Sequence, residues 1–301
     1  MRLFWPCGDG RRVPDPPQPE LFPPGTAPPD ATGISAHCLL RRAADDIGRA
    51  RPPRATACLR PGAFYGRAMS KPVCAVVGIG PGNGAAFARR FAADGYAVAL
   101  LARSLDTSRE LAAALPGARA WACDVGDAAS VERAFTAIGG ELGDPEVVIY
   151  NAGSGLFGSF EDVTAADFEA SWRVNALGAF LVAKQVVPAM KRAGRGNLVM
   201  IGATASRRGG IRSAAFAPAK AAQRSLAESM ARSLGPAGIH VSLIVIDGVV
   251  DLPRTRQRLA DKPDAFFVRP DDVAASAAFL VAQPRSAWTF ELEARPFGET
   301  W

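Results

Sequence analysis

The chain has 301 residues, 49% hydrophobic and 21% charged, with a net charge of +6, a balance that excludes disorder throughout and suits a protein with a full core. Its richest apolar runs, as in VCAVVGIG, stop after about eight residues, well short of the roughly 18 to 20 that span a bilayer, so no membrane-spanning helix is expected. Two histidines (His37, His240) and five cysteines (Cys7, Cys38, Cys58, Cys74, Cys123) without a CxxC pair provide neither a zinc ligand set nor a disulfide framework, and a reducing cytosol is the expected compartment.

Residues 1–68 hold 12 of the 24 prolines, 3 of the 5 cysteines, and 10 arginines against 6 acids, which is +4 of the net charge. PPQPELFPPGTAPPD has no helical or strand period and too little contiguous apolar surface to offset the entropy of ordering it. A disordered leader is expected there. Pro6 and Gly8-Asp9-Gly10 interrupt any signal-peptide core, and the arginines lie among prolines without interleaved aromatics, so neither secretion nor nucleic-acid binding is expected. Met69 stands directly before the first strand, and residues 1–68 read as an extension produced by start-site choice, with a basic tail as the other reading.

From residue 69 onward a single domain is expected. Short apolar runs at 73–77, 97–101, 118–122, 147–150, 197–201, 240–246 and 288–293 have strand length, and helical patterns lie near 83–94, 106–115, 127–139, 171–192, 214–234 and 271–283. Strands apolar on both faces and alternating with helices imply an α/β, doubly wound Rossmann fold: a seven-stranded parallel sheet with helices on both faces.

The first strand runs into GIGPGNGAAFARRFA, where Gly78, Ile79, Gly82 and Gly84 lead into an amphipathic helix. Glycine permits a tight turn and close approach of backbone to a pyrophosphate, and a helix amino terminus offers N–H donors. The same glycines also fit a plain flexible loop. About 20 residues further on, where a dinucleotide site usually has a carboxylate for the ribose hydroxyls, stands Arg103. A cation there suits a 2′-phosphate, so NADP is expected ahead of NAD, with a merely solvated arginine as the other reading.

GIGPGNG, then Asp124-Val125 after the third strand, Asn151-Ala152-Gly153 after the fourth, Asn175 in WRVNALGAF and Lys220 in FAPAK occur in the order found in the short-chain dehydrogenases/reductases. The chain resembles that family from residue 73 to about 293. The resemblance implies that Asp124 contacts the adenine, with Val125 beside it as cofactor-binding, that Asn151, Ala152 and Gly153 line the nicotinamide ribose pocket, that Lys220 binds the ribose hydroxyls, and that Asn175 holds a water in a proton relay. It also implies dimerisation through the helices at 171–192 and 214–234, giving a homodimer or homotetramer. Each residue has a plainer reading as well: Asn151 as a turn, Asn175 as a helix-backbone partner, Asp124 as a helix cap.

One expected group is missing. Family members usually have a tyrosine four residues before the lysine, and this chain has Phe216; their serine, about thirteen residues earlier, aligns with Ala203. A phenyl ring keeps the bulk of a phenol but has no proton to give. Thr204, Ser206 and Ser213 offer hydroxyls nearby, which are hydrogen-bond donors and poor acids. Of the tyrosines in the domain, Tyr96 enters the second strand, and Tyr150 ends the fourth, where packing is its expected role. His240 lacks a Ser-x-Gly elbow and reads as a strand-edge or core residue. IDGVVDLP keeps Gly248 and Pro253 of the family's pattern after the sixth strand but has Asp247 and Leu252 in place of its proline and threonine, which implies a remodelled pocket. Two functions stay open: an NADP-dependent oxidoreductase acting by hydride transfer on a small carbonyl, alcohol or enone, with Lys220, Asn175, Thr204 and Ser213 as its catalytic candidates; or a non-enzymatic NADP-binding sensor or scaffold.

Overall fold

The computed structural model describes residues 71–299; the leader expected over residues 1–68 lies outside the described residues. The element order is β1 (Val73–Val77), α1 (Asn83–Ala93), β2 (Ala97–Ala102), α2 (Asp106–Ala114), β3 (Arg119–Ala122), α3 (Ala128–Glu141), β4 (Pro145–Tyr150), α4 (Ala165–Trp172), α5 (Gly178–Ala193), β5 (Gly196–Ala203), α6 (Phe216–Leu234), β6 (Ile239–Ile246), β7 (Val249–Val250), α7 (Pro253–Arg258), β8 (Phe267–Val268), α8 (Pro270–Val281) and β9 (Glu291–Ala294). Seven strands form one sheet in the order β3-β2-β1-β4-β5-β6-β9, every pair parallel. This is the doubly wound α/β fold. Its strand order reverses between β1 and β4, and such a switch point opens a crevice at the carboxyl ends of the two strands.

Alternation along the strands builds two cores. Val73, Ala75 and Val77 of β1 point into a cluster with Phe135 and Ile138 of α3 and Val182 and Val186 of α5. Cys74 and Val76 point the other way, onto Phe87 and Phe91 of α1 and Val273 and Ala277 of α8. Because both faces are buried, all five residues of β1 are apolar, as a covered parallel strand requires.

Three elements differ from the sequence expectation. The helix expected at 171–192 starts earlier, at Ala165, where Thr164 and Asp167 cap each other's backbone N–H groups. It is then interrupted by a π-helical turn, Arg173–Leu177, before α5 begins. The last strand starts at Glu291 rather than 288 and alternates charged with apolar residues, as an edge strand can. Finally, the segment between β6 and α8 contains a two-strand parallel pair, β7 with β8, and the short helix α7, whose first residue is Pro253.

The π-helical turn is held from the sheet. Tyr150, fully buried at the end of β4, donates its hydroxyl to the Val174 carbonyl at 2.5 Å, and burial pushes its pKa up. That hydroxyl is a structural tie, in keeping with the packing role expected for Tyr150. Gly178 makes the approach possible, since a Cβ there would lie 2.3 Å from Tyr150 Oη and 2.8 Å from Val125 Cβ. Gly178→Ala is expected to destabilise the domain by about 1–3 kcal/mol through overpacking, read as a lower urea midpoint at unchanged slope; an unchanged midpoint would mean that the turn yields without cost.

Candidate active site

The crevice begins with two backbones in close contact. Gly78 leaves β1 with φ +99°, and a Cβ on it would lie 2.4 Å from the Ala152 nitrogen. Only glycine fits both the conformation and the space. Its N–H donates to the Leu101 carbonyl at 2.8 Å, and Asn151 Nδ2 donates to the Gly78 carbonyl at 2.7 Å, so β1, β2 and β4 meet at this residue. Gly84, in the first turn of α1, lies against the same strand end: a Cβ there would be 2.6 Å from the Gly78 oxygen. No side chain caps the amino terminus of α1 and its first turn holds no acid, which suits an anion. Gly82 is covered instead by Leu252, whose Cδ2 would be 2.3 Å from an added Cβ; the loop after β6 thus reaches over the glycine turn.

Across the crevice, the π-helical turn presents Asn175, fully buried. Its Nδ2 donates to the Ser171 carbonyl at 2.9 Å and the Ser154 carbonyl at 3.2 Å. Its Oδ1 is buried without a hydrogen-bond partner. Lys220, also buried, donates from Nζ to the Ile201 carbonyl at 2.8 Å and to Gln223 Oε1 at 3.1 Å. The two groups converge on Gly153, where a Cβ would lie 3.3 Å from Asn175 Oδ1 and 3.7 Å from Lys220 Nζ. An acceptor without a donor and a lysine nitrogen, which keeps a third N–H when charged and a lone pair when neutral, thus flank the same spot, the arrangement a polar ligand or water would complete. Burial holds the Lys220 amine down at about 7.

Phe216 occupies the helical turn before Lys220, its ring centroid 5.9 Å from Nζ. None of the three nearby hydroxyls replaces a phenol. Thr204 donates to Asp247, which in turn faces Arg295 at 3.9 Å. Ser206 accepts from the Ala203 N–H at 3.1 Å. Ser213 closes on Gly210, accepting from its N–H at 2.7 Å and donating to its carbonyl at 2.9 Å. The Thr204–Asp247 pair was not foreseen from the sequence, because 43 residues separate its members; the only signal was a carboxylate where the family has proline.

The remaining candidates lie along the opening. Arg103, one residue past β2, is exposed and has no ion-pair partner among the described residues. Asp124 accepts from the Gly126 N–H at 2.9 Å, an Asx turn that leaves its outer oxygen free to act, while capping of α3 falls to Asp127. Val125 is buried and supports Gly178. Ile79 continues the turn with its N–H on the Leu101 carbonyl at 3.0 Å. His240 is structural: it stacks on Trp288 at 4.8 Å with its Nε2 2.9 Å from the Thr289 carbonyl oxygen. Taken as a donor set, the glycine turn, the uncapped helix terminus and the Asn175–Lys220 pair fit a dinucleotide. No cluster of metal-ligating side chains occurs among the described residues.

Comparison with known proteins identifies the family. The family model described as short chain dehydrogenase matches residues 72–263. The 3-oxoacyl-[acyl-carrier-protein] reductase MabA of Mycobacterium tuberculosis is 32% identical over 219 residues, spanning 70% of this chain and 85% of that protein. The D-threitol dehydrogenase of Mycolicibacterium smegmatis is 29% identical over the same shares of the two chains. Among solved structures, a short-chain dehydrogenase from Rhodopseudomonas palustris superposes with a TM-score of 0.65 at 32% identity, covering 75% of this chain and 99% of that one. An alcohol dehydrogenase from Thermococcus sibiricus, complexed with 5-hydroxy-NADP, gives 0.68 at 27% identity, covering 76% and 98%.

The burial of Lys220 has a measurable consequence. Its amine titrates near 7 when folded and at an ordinary 10.5 when unfolded, so between those values the unfolded chain binds the extra proton and stability rises with pH. The stability of the wild type relative to Lys220→Met is expected to be flat below about pH 7 and to rise from there toward 10.5. Urea unfolding across that range checks it; a difference independent of pH would show an amine that keeps its proton on folding.

Proposed function

The chain belongs to the short chain dehydrogenase family, and from that premise we propose that it is an NADP-dependent oxidoreductase acting on a small carbonyl, alcohol or enone. The observation that supports this reading most is the convergence of the unpartnered Asn175 Oδ1 and the Lys220 amine on Gly153, across the crevice from the Gly78–Gly84 turn. A module kept only for its shape would have no need for two buried polar groups that leave bonding capacity unused, because each such group costs stability.

In this reading the glycine turn and the amino terminus of α1 would hold the pyrophosphate, and Arg103 would pair with the 2′-phosphate. Asp124 would contact the adenine, with Val125 behind it, Asn151, Ala152 and Gly153 would line the nicotinamide ribose, and Lys220 would bind the ribose hydroxyls. When bound, the nicotinamide supplies or accepts the hydride. The residues of the chain do the rest. Asn175 Oδ1 would hold a water that gives a proton to the carbonyl oxygen as the hydride reaches its carbon, and Lys220 Nζ, which burial brings down to about 7, would return a proton to that water; alcohol oxidation would run the same transfers in reverse. Phe216 contributes bulk and excludes solvent. Thr204 and Ser213, engaged with Asp247 and Gly210, shape the pocket as orienting groups. The exposed Phe168, Trp172 and Phe180 on α4 and α5 support self-association through that face. The rival reading, an NADP-binding sensor or scaffold, rests on Phe216 and Ala203.

Two measurements decide. NADPH is expected to bind more tightly than NADH, and Arg103→Ala is expected to remove about 1.5–3 kcal/mol of NADPH affinity while leaving NADH unchanged; equal affinities in the wild type would overturn the NADP assignment. In a screen of carbonyls and enones, NADPH oxidation that needs both substrate and Lys220 is expected, with Phe216→Tyr altering scope or rate. Saturated NADPH binding with no oxidation by any compound, and activity appearing only in Phe216→Tyr, would favour the sensor reading.

A further inference from the structure

The mouth of the site is built by two loops, residues 154–164 after β4 and 207–215 after β5. They are joined by backbone: the Gly158 N–H donates to the Arg212 carbonyl at 3.0 Å and the Ala214 N–H to the Gly158 carbonyl at 3.3 Å, a one-rung parallel bridge between Gly158 and Ser213. Beside the bridge, the Phe157 ring packs on Phe216 with centroids 5.1 Å apart and a tilt of 53°. Phe216 is the residue that stands before Lys220, so this aromatic pair runs from the outer rim to the place where a reacting group would meet the amine. Phe157 is 60% exposed; Phe160, two residues beyond the bridge, is 84% exposed, and Ile211, two residues before it, 91%. Three large apolar side chains left to solvent on one rim, next to a polar pocket, are what a binding mouth presents and a resting surface avoids.

The polar inventory of the rim argues in the same direction. Ser213 spends its hydroxyl on Gly210, Ser159 on Asp162 and Thr164 on Asp167, and just inside the rim Thr204 spends its own on Asp247. A substrate rich in hydroxyls would give up its water on entering and find apolar rings in exchange, and every unpaired hydroxyl weakens binding. Arg208 and Arg212 stand on the same rim, but both are exposed, where an ion pair with a carboxylate gains little.

Resting on the oxidoreductase reading for the reaction, we infer that the substrate is an apolar, ring-bearing carbonyl compound that stacks on the Phe157–Phe216 pair, and not a polyol or sugar acid. Offset or tilted stacking on Phe157 places the ring at the rim, with the carbonyl directed inward toward Lys220 and Asn175.

The test separates binding from turnover. Full-length protein saturated with NADP is titrated with 2-acetylnaphthalene and with the keto-polyol erythrulose, with binding followed by saturation-transfer NMR. The naphthyl ketone is expected to bind, erythrulose to show no transfer at the same concentration, and Phe157→Ala to weaken the ketone roughly tenfold. Phe160→Ala, at a side chain that packs on little, is expected to weaken it in the same direction and serves if Phe157→Ala lowers the melting temperature. Erythrulose binding as tightly as the ketone, or ketone binding unchanged in both variants, would overturn the inference. NADPH consumption is read in parallel: ketone binding without consumption supports the ligand class and counts against the oxidoreductase reading alone, whereas consumption with erythrulose only does the reverse.

Discussion

The site depends on one close contact, the approach of the end of β1 to the start of the loop after β4. At Gly78 three requirements coincide: a positive φ, no side chain, and a carbonyl turned to receive Asn151 Nδ2. With them met, β1 and β4 stay paired through Val77 and Tyr150, and their chains then part in opposite directions. That parting is the crevice. The glycine turn and the amino terminus of α1 form one wall, and Asn151–Gly153 form the other, so a side chain at residue 78 would displace both walls together.

From the same strand end comes the control of the other polar group. Tyr150, the last residue of β4, reaches back to the carbonyl of Val174, which lies one residue before Asn175 in the π-helical turn. A π turn frees backbone carbonyls that an α-helix would use, and the phenol satisfies one of them. The aromatic hydroxyl that the chain keeps near the site is therefore employed in holding Asn175, and the position where an acidic phenol would stand holds Phe216. In the oxidoreductase reading proposed above, proton exchange would fall to Lys220, whose amine burial brings down to about 7. Desolvation alone lowers it, without a neighbouring cation, so anything that lets water or an anion reach Nζ would raise it again.

How far this was legible in the residues differs by element. β1 and β2 are continuous apolar runs because both faces of the sheet are covered, and β4 and β6 nearly so, broken only by Glu146 and by His240 and Ser242, so their places follow from the apolar pattern. β9 was harder: as an edge strand it carries Glu291 and Glu293, and its extent was misjudged by a few residues. The start of α4 carried a readable signal, Thr164 with Asp167 three residues on, that the apolar pattern from residue 171 outweighed. The π turn and the β7–β8 pair have no local signature, since one depends on Tyr150 from another strand and the other joins residues 18 apart. The placement of the candidate residues at strand ends and on helices was readable from motif order; their engagements were not, because Thr204 with Asp247 and Gly158 with Ser213 are contacts across loops.

Those cross-loop contacts also bear on the rigidity of the mouth. The loop after β5 is anchored at its start by Arg207, which pairs with Glu291 at 2.6 Å and with Glu293, and at its end by the bridge of Ser213 to Gly158. Arg224 of α6 shares Glu291. An isolated exposed ion pair contributes little, but here two arginines from consecutive elements share the carboxylates of one edge strand, and Glu291 is only 16% exposed. The loop is thus tied to the sheet at one end and to the neighbouring loop at the other, with Ile211 between the ties. A rim fixed in this way presents its apolar side chains without first having to order them, which lowers the entropic cost of capturing a ligand. If the rim binds the ring-bearing substrate inferred above, cutting the Arg207 tie would act on its affinity through the loop, at a distance from Phe157 and Phe216.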